Sequence, residues 1–373
     1  MLSFSARAYV QMARDAGFQV IAIDAFADAD TQAMAKQTLV AEYDADGFVA
    51  EHVIRLLESI DTSQIYGLMY GSGVESRPHL LQAIAQRFRL LGNAADIVQR
   101  CKSLQFFDLL NQLNIPFPPI NLQATSTQSV LLKRVDGSGG THIRRVAASQ
   151  IPQSNHSYIQ QEIIGDTLGI LFVADAQRAV LIGMHQQWNV ALANQAMCAS
   201  RMMSQVKVSA AVSAQVQQMV QKLTQALGLR GINSLDVIVQ DEQVYCLELN
   251  PRLSASIDLY RTEYPLMQWH LAGLIDGYLD KLPQQIKQAK TARARQIIYA
   301  DIDMHILAGE WPEWVTDIPC EGTVIHTNQP LCTVHAHGED TLQAQTLLEQ
   351  RIQILSEWHL CQPISGRMCE SVS

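Results

Sequence analysis

The sequence predicts a chain of mixed class, a doubly wound α/β unit followed by antiparallel α+β segments, and three observations predict it. In the first ninety or so residues, apolar strand-like runs alternate with helical stretches, the pattern of a sheet with crossover helices. From about Ile120 onward several strands follow one another with few helices between them, so that segment reads as antiparallel. The stretch Gly231–Arg252, GINSLDVIVQDEQVYCLELNPR, places two apolar runs on either side of the polar turn Asp241-Glu242-Gln243, which is a β-hairpin pattern.

Bulk properties bound the function. A length of 373 residues suggests two or three domains and a sizeable core. A net charge of −9 with 17% charged residues carries no basic footprint, so the sequence offers no nucleic-acid partner. No window approaches the roughly 18 unbroken apolar residues of a membrane span, so no membrane partner is expected. No basic n-region followed by an apolar h-region opens the chain, and a cytoplasmic location is expected. The seven cysteines are scattered without a CxxC pair, as in proteins that keep reduced thiols.

The elements follow in order. Ala6 to Ala16 has helical apolar spacing, and Gly17 suits a helix C-terminus. Phe18 to Asp24 reads as a buried parallel strand. A helix so close to Met1 leaves little room for a strand before it, so either the first strand is very short or the chain start is abbreviated. Glu51 to Ile60 reads as a helix and Ile65 to Tyr70 as a strand. In doubly wound sheets ligands collect beyond the carboxyl ends of strands, where Asp24 and the turn Gly71-Ser72-Gly73-Val74-Glu75 fall. Glu75 there either meets a substrate amine or caps the next helix. Ile97 to Leu113 has helical spacing with Lys102 near its start, and the prolines after Ile115 mark a boundary.

Val130 to Lys133 is a short strand, followed by Asp136-Gly-Ser-Gly-Gly140. Such a turn lets backbone N–H groups approach phosphate oxygens, or is simply a flexible hairpin. It lacks the GxxxxGK[ST] of a P-loop and the GxGxxG of a dinucleotide fingerprint. Tyr158 to Gly165 is a strand running into a turn, whose backbone groups suit a purine edge. Phe172 to Asp175 and Ala179 to His185 are strands, and Val212 to Leu227 is an amphipathic helix leading to the hairpin.

With a hairpin turn centred on Glu242, Val239 faces Tyr245 and Asp236 faces Glu248, while Cys246, Glu248 and Asn250 share a face. Opposed Cβ atoms lie about 5 Å apart, and two carboxylates there repel by roughly 3 kcal/mol at an effective dielectric of about 20. Either the hairpin is an ordinary solvent-facing one, or something positive sits between the acids. Carboxylate and amide oxygens suit a hard cation such as Mg²⁺. Arg252, two residues on, can add a phosphate clamp.

The ordered set Lys102, Lys133, Gly137-Ser-Gly-Gly140, Gln160-Gln-Glu-Ile163, Asp236, Glu248-x-Asn250 and Arg252 resembles that of ATP-grasp enzymes over about residues 1 to 260. The resemblance implies an ATP-grasp fold: an N-terminal α/β domain over 1–92, then an ATP-grasp core over 93–260. The core would comprise two ATP-clamping subdomains, a small one over about 120–163 and a large one over about 164–260. A β-rich C-terminal lobe over 261–373 would complete the large subdomain. It implies ATP with Mg²⁺ or Mn²⁺ as cofactors and cations at Lys102 and Lys133 on the nucleotide phosphates. Ser138, Gly139 and Gly140 would form the loop over those phosphates, and Gln160, Gln161, Glu162 and Ile163 the hinge beside adenine. Asp236, Glu248 and Asn250 would be the metal ligands, with Arg252 and Lys133 acting on the transferred phosphate and Glu75 and Ser254 near substrate. The partners implied are a small-molecule carboxylate and an amine, with a homodimer as the assembly to test.

The C-terminal segment carries a helix from Leu266 to Leu279, strands at Gln296–Asp301, Gly322–His326 and Pro330–His337, and a closing helix from Thr341 to Leu360. Tyr70-Gly-Ser-Gly-Val-Glu75 combined with Trp311-Pro-Glu-Trp314 and Asp317-Ile-Pro-x-x-Gly322 resembles the tyramine–glutamate ligase relatives that make furan cofactors such as methanofuran. That implies glutamate as the activated acid and a tyramine or tyrosine amine as acceptor.

Overall fold

A computed structural model describes residues 1–120, 130–137, 140, 142–146, 156–192, 195–282, 289–357 and 361–363. In chain order the N-terminal part comprises β1 (Leu2–Ser3), α1 (Arg7–Asp15), β2 (Ile21–Asp24), α2 (Ala29–Met34) and β3 (Gln37–Val40), then β4 (Tyr43–Asp44), β5 (Gly47–Phe48), α3 (Ala50–Glu58) and α4 (Pro78–Arg87). The middle part comprises α5 (Ala95–Cys101), α6 (Gln105–Gln112), β6 (Val130–Arg134), β7 (Arg144–Val146), β8 (Ser157–Gln161), β9 (Asp166–Asp175), β10 (Ala179–Leu192), β11 (Gln195–Ser204), α7 (Ala210–Leu227), β12 (Arg230–Gln240) and β13 (Gln243–Asn250). Then come α8 (Leu266–Ala272), β14 (Ala292–Tyr299), β15 (Met304–Ile306), β16 (Val315–Thr316), β17 (Val324–Ile325), β18 (Pro330–Gly338), α9 (Thr341–Ser356) and β19 (Cys361–Pro363).

The first strand is indeed very short, two residues that pair in parallel with Ile23 and Asp24 of β2. Tyr70 bridges Leu2 in parallel, so the expected strand over 65–70 survives only as isolated bridges. The helix expected over 97–113 is two helices, because the chain turns between Cys101 and Gln105. Lys102 therefore caps the end of α5 instead of starting a longer helix.

The main sheet runs β13-β12-β9-β10-β11-β14-β18-β16, so strands of the C-terminal lobe extend the sheet of the middle segment. A separate sheet, β7-β6-β8, faces it across a cleft. Strand β9 explains how the main sheet is held. Side chains alternate faces along a strand. Leu168, Ile170 and Phe172 pack with Val216, Met219 and Leu223 of α7, whereas Leu171 and Val173 pack with α1 and α8. Each face of this strand therefore meets its own core, which makes the sheet a rigid floor for one wall of the cleft.

A polar seam joins the N-terminal part to the C-terminal lobe. Ala29 N–H donates to Ile318 O at 2.7 Å, and the Asp30 carboxylate accepts from the Asp317 and Ile318 N–H groups at 2.9 and 3.1 Å. Buried Arg7 of α1 grips Asp258 with two bonds of 2.7 and 2.5 Å and reaches Asp317 at 3.1 Å. Asp24, at a strand end where ligands often gather, is instead consumed locally. Its oxygens accept from the N–H groups of Ala6, Phe26 and Ala27 at 2.6, 2.7 and 2.7 Å.

Asp28 lies buried in this seam, and burial together with Asp317, Asp24 and Asp30 pushes its carboxyl up to about 9. A carboxyl whose folded value exceeds its unfolded one stabilises the fold fully below the unfolded value and loses that contribution as pH rises toward the folded one. The window here runs from about pH 4 to about pH 9. Asp28→Asn is therefore expected to raise the melting temperature at pH 8 and to have a much smaller effect at pH 4.5. Calorimetric scans at both values check this; an equal shift at the two would show that Asp28 is not held protonated.

Candidate active site

The cleft, of about 400 Å³, is lined by β6, β8, β10, β11, β12 and β13 together with Lys102 and the segment from Arg252 to Ser256. Its chemistry starts at the hairpin β12–β13. The turn is tighter than one centred on Glu242. Gln240 pairs with Gln243, and both Asp241 and Glu242 have positive φ, 49° and 65°, as a two-residue turn between twisted strands requires. Val239 therefore pairs with Val244, not with Tyr245. A bulge at Leu247 then inserts one residue and restores the pairing of Asp236 with Glu248. The same bulge breaks the alternation, so Cys246 turns into the core beside Val244 while Glu248 and Asn250 line the cleft.

The two carboxylates face each other because of that bulge, and their environments differ. Asp236 Oδ1 accepts from Gln187 Nε2 at 2.9 Å and Oδ2 from Asn250 Nδ2 at 3.1 Å. Burial and the neighbouring Glu248 push its carboxyl up to about 6. Burial drives Glu248 up as well, but the Lys102 ammonium that bonds it overrides this and holds it below the ordinary glutamate range. Lys102 Nζ also donates to Asn250 Oδ1 at 3.0 Å. Lys102 is buried, so its charge meets the acid pair in a setting where electrostatic interactions are strong.

Lys133, on β6 across the cleft, is also buried. Burial pulls its ammonium below the usual lysine range, with Glu248 and Asp236 opposing. Arg252 closes one end. Its Nε donates to Glu75 Oε1 at 2.5 Å, Nη1 to Leu253 O at 2.9 Å and Nη2 to Asn250 Oδ1 at 3.2 Å. Glu75 is therefore not an open acceptor for a substrate amine. Its other oxygen accepts from the Gly73 and Val74 N–H groups at 2.7 and 3.0 Å, and the carboxylate fixes the guanidinium. Ser254 lines the cleft with its hydroxyl 2.6 Å from that of Ser256.

Beyond β6, Gly140 lies against β11 with φ +77°, and a Cβ there would fall 1.9 Å from Met197 O. Ser138 and Gly139 lie outside the described residues. On β8, Gln160 is buried and donates to Pro118 O at 3.3 Å, and Gln161 N–H donates to Pro119 O at 2.9 Å. Glu162 and Ile163 follow at the cleft wall, with Glu162 held by Arg145 of β7 through bonds of 2.7 to 3.1 Å. Nothing in the sequence around His142 signals a role. It lines the cleft, and its ring occupies the space over Gly137, where a Cβ would sit 2.1 Å from the ring.

The donor set fits a hard divalent ion of the magnesium type. Two carboxylates and one amide oxygen border one space, and no group of three or more His, Cys, Asp or Glu side chains suited to a metal occurs among the described residues. Mg²⁺ commonly takes one or two carboxylates and fills its shell with water and phosphate, so it needs no all-protein cage. No described helix is long and apolar enough to cross a membrane.

Comparison with known proteins agrees with this architecture. Residues 102–256 match the family model described as an ATP-grasp domain. Solved structures with the same fold include biotin carboxylase from Campylobacter jejuni, at 13% identity and TM-score 0.72 over 97% of this chain and 92% of that one. L-amino acid ligase from Bacillus licheniformis matches at 12% identity and TM-score 0.71 over 98% of both chains. The biotin carboxylase domain of Hydrogenobacter thermophilus 2-oxoglutarate carboxylase matches at 10% identity and TM-score 0.68, over 98% of this chain and 90% of that one. No curated protein matches by sequence. The chain has the ATP-grasp fold, and its residues 102–256 match the model of an ATP-grasp domain.

Proposed function

We propose that the protein is an ATP- and Mg²⁺-dependent ligase that joins a carboxylate to an amine through an acyl phosphate. The observation that carries this reading is the convergence of Asp236, Glu248, Asn250, Lys102, Lys133 and Arg252 on one cleft between two sheets. Asp236, Glu248 and Asn250 would hold the divalent ion, with Mn²⁺ as an alternative, and the ion would supply charge neutralisation to the phosphates. Lys102 and Lys133 would bind the nucleotide phosphates, and Ser138, Gly139 and Gly140 would supply the loop that covers them. The hinge from Gln160 to Ile163 would lie beside adenine.

In the first step a substrate carboxylate oxygen attacks the γ-phosphorus, the bond from that phosphorus to the β–γ bridging oxygen breaks, and ADP leaves. In the second the amine nitrogen attacks the acyl carbon, the carbon–oxygen bond to phosphate breaks, and inorganic phosphate leaves while the amine loses a proton. Arg252 is placed to stabilise the transferring group, because a guanidinium held on three sides presents fixed donors at little cost in reorganisation. Positioning and electrostatics of this kind carry most of a phosphoryl transfer.

The narrower reading is glutamate as the acid and a tyramine or tyrosine amine as acceptor, within furan-cofactor synthesis. It is supported by the motifs Tyr70–Glu75 and Trp311–Gly322. The homodimer also remains a proposal, supported by the carboxylase domain above having been solved as a dimer with MgADP. An ADP-release assay tests the function. ADP formed only when glutamate and tyramine are both present is expected. ADP with bicarbonate alone would replace the ligase by a carboxylase-type reaction, and ATP binding without turnover on any acid–amine pair would leave a nucleotide sensor.

A further inference from the structure

We infer that Gln187 is a positioning residue for the metal site, and that Gly169 exists as a gap through which it reaches Asp236. The inference rests on Asp236 being a metal ligand, as proposed above. In the main sheet, Asp236 of β12 pairs with Gly169 of β9, and Gly169 pairs with His185 of β10. Asp236 and His185 therefore flank one glycine across three strands. Gln187, two residues beyond His185 and on the same face, donates to Asp236 Oδ1 at 2.9 Å. A Cβ at position 169 would lie 2.0 Å from Gln187 Nε2 and 2.2 Å from His185 Nε2. Glycine inside a strand weakens it, and its use marks a close approach that a side chain would block.

The donors and acceptors fix the direction of the chain. Asp236 as a carboxylate can only accept, so the nitrogen of the Gln187 amide faces it. That nitrogen has a second hydrogen and lies 3.3 Å from His185 Nε2, which must then accept. The proton of His185 sits on Nδ1, 3.3 Å from the Tyr260 hydroxyl. Burial and nearby Arg295 lower the imidazole to about 3, so it stays neutral and keeps this tautomer. Asp236 is thus held from the side away from Glu248 by the chain Tyr260–His185–Gln187, in which Tyr260 and His185 are buried and Gln187 is half-buried. Partners of this kind orient first ligands, and their loss typically costs 10–100-fold in metal affinity.

The test is calorimetric binding of a non-hydrolysable ATP analogue over a Mg²⁺ series, with the wild type, Gln187→Met and Gly169→Ala. Methionine keeps the length of the side chain and removes the donor, while alanine leaves Gln187 in place and blocks its path. Both variants are expected to raise the Mg²⁺ concentration for half-maximal analogue binding about 10-fold or more, with metal-free binding of the analogue unchanged. If Gly169→Ala fails to fold, Gln187→Met alone decides. A wild-type Mg²⁺ dependence in Gln187→Met, or an equal loss of metal-free and Mg²⁺-supported binding, overturns the inference. A wild type that binds the analogue without regard to Mg²⁺ overturns the metal reading itself and the inference with it.

Discussion

Glu248→Gln is expected to lower turnover by about 100-fold or more while leaving the protein folded. The amide keeps the shape and can still accept from Lys102, but the site loses one of the two negative charges available to a divalent ion. Removing a single preorganised electrostatic group from an active site commonly costs about 10²–10³ in kcat. Stability is expected to change little because two effects oppose. Lys102 loses a charged partner, whereas Asp236 loses the carboxylate that faces it across the hairpin. Steady-state ADP release and a thermal melt measured on the same preparation check both halves. A near-normal rate would show that Glu248 does not serve the reacting phosphates.

The second large effect is expected at Arg252, where activity and stability separate by substitution. Arg252→Ala leaves Glu75 buried opposite no cation, although the Gly73 and Val74 N–H groups still reach it. Breaking one side of such a buried pair costs about 3–5 kcal/mol. Chemical denaturation should report a loss of that order. Arg252→Lys can still answer the charge of Glu75, so most of the stability is expected to return. A lysine, however, cannot bond Glu75, Leu253 O and Asn250 together from one planar head. Turnover of the lysine variant is therefore expected to stay about 100-fold down with nucleotide binding retained. A lysine variant with wild-type turnover would show that the guanidinium geometry plays no part in the reaction.

The candidate site is partly legible in the sequence, and the reasons differ by residue. Counting outward from a turn pairs Asp236 with Glu248. The turn is one residue tighter than assumed, and the bulge at Leu247 compensates by one residue, so the pair stands while Val239 and Cys246 do not fall where the count put them. A bulge has no fixed residue type here, and nothing in Tyr245-Cys-Leu-Glu248 announces it. The apolar spacing places Lys102 on the right segment but inside one long helix. The apolar spacing over 97–113 continues through the break, so periodicity alone could not place the turn that lets Lys102 reach Glu248.

Contacts between distant parts of the chain were the hardest to read. Glu75 and Arg252 are 177 residues apart, and each looked like an independent candidate for substrate or phosphate. Their pairing turns one of them into a support for the other. Gln187 and Gly169 gave no signal at all, because a glutamine in a strand is ordinary and the meaning of the glycine depends on which strands flank it. The short β1, by contrast, is one of the two alternatives that a helix so close to Met1 leaves open, and the structure shows a two-residue strand there.

The most direct test is a crystal structure with Mn²⁺ and a non-hydrolysable ATP analogue, read by the anomalous signal of the manganese. The account predicts a peak bordered by Asp236, Glu248 and Asn250 and by phosphate oxygens, with Lys102 moved off Glu248 toward the phosphates. Metal–oxygen distances should be about 2.1 Å, close to those of Mg²⁺. Nucleotide bound in the cleft with no manganese between those side chains, or manganese found elsewhere, would contradict it.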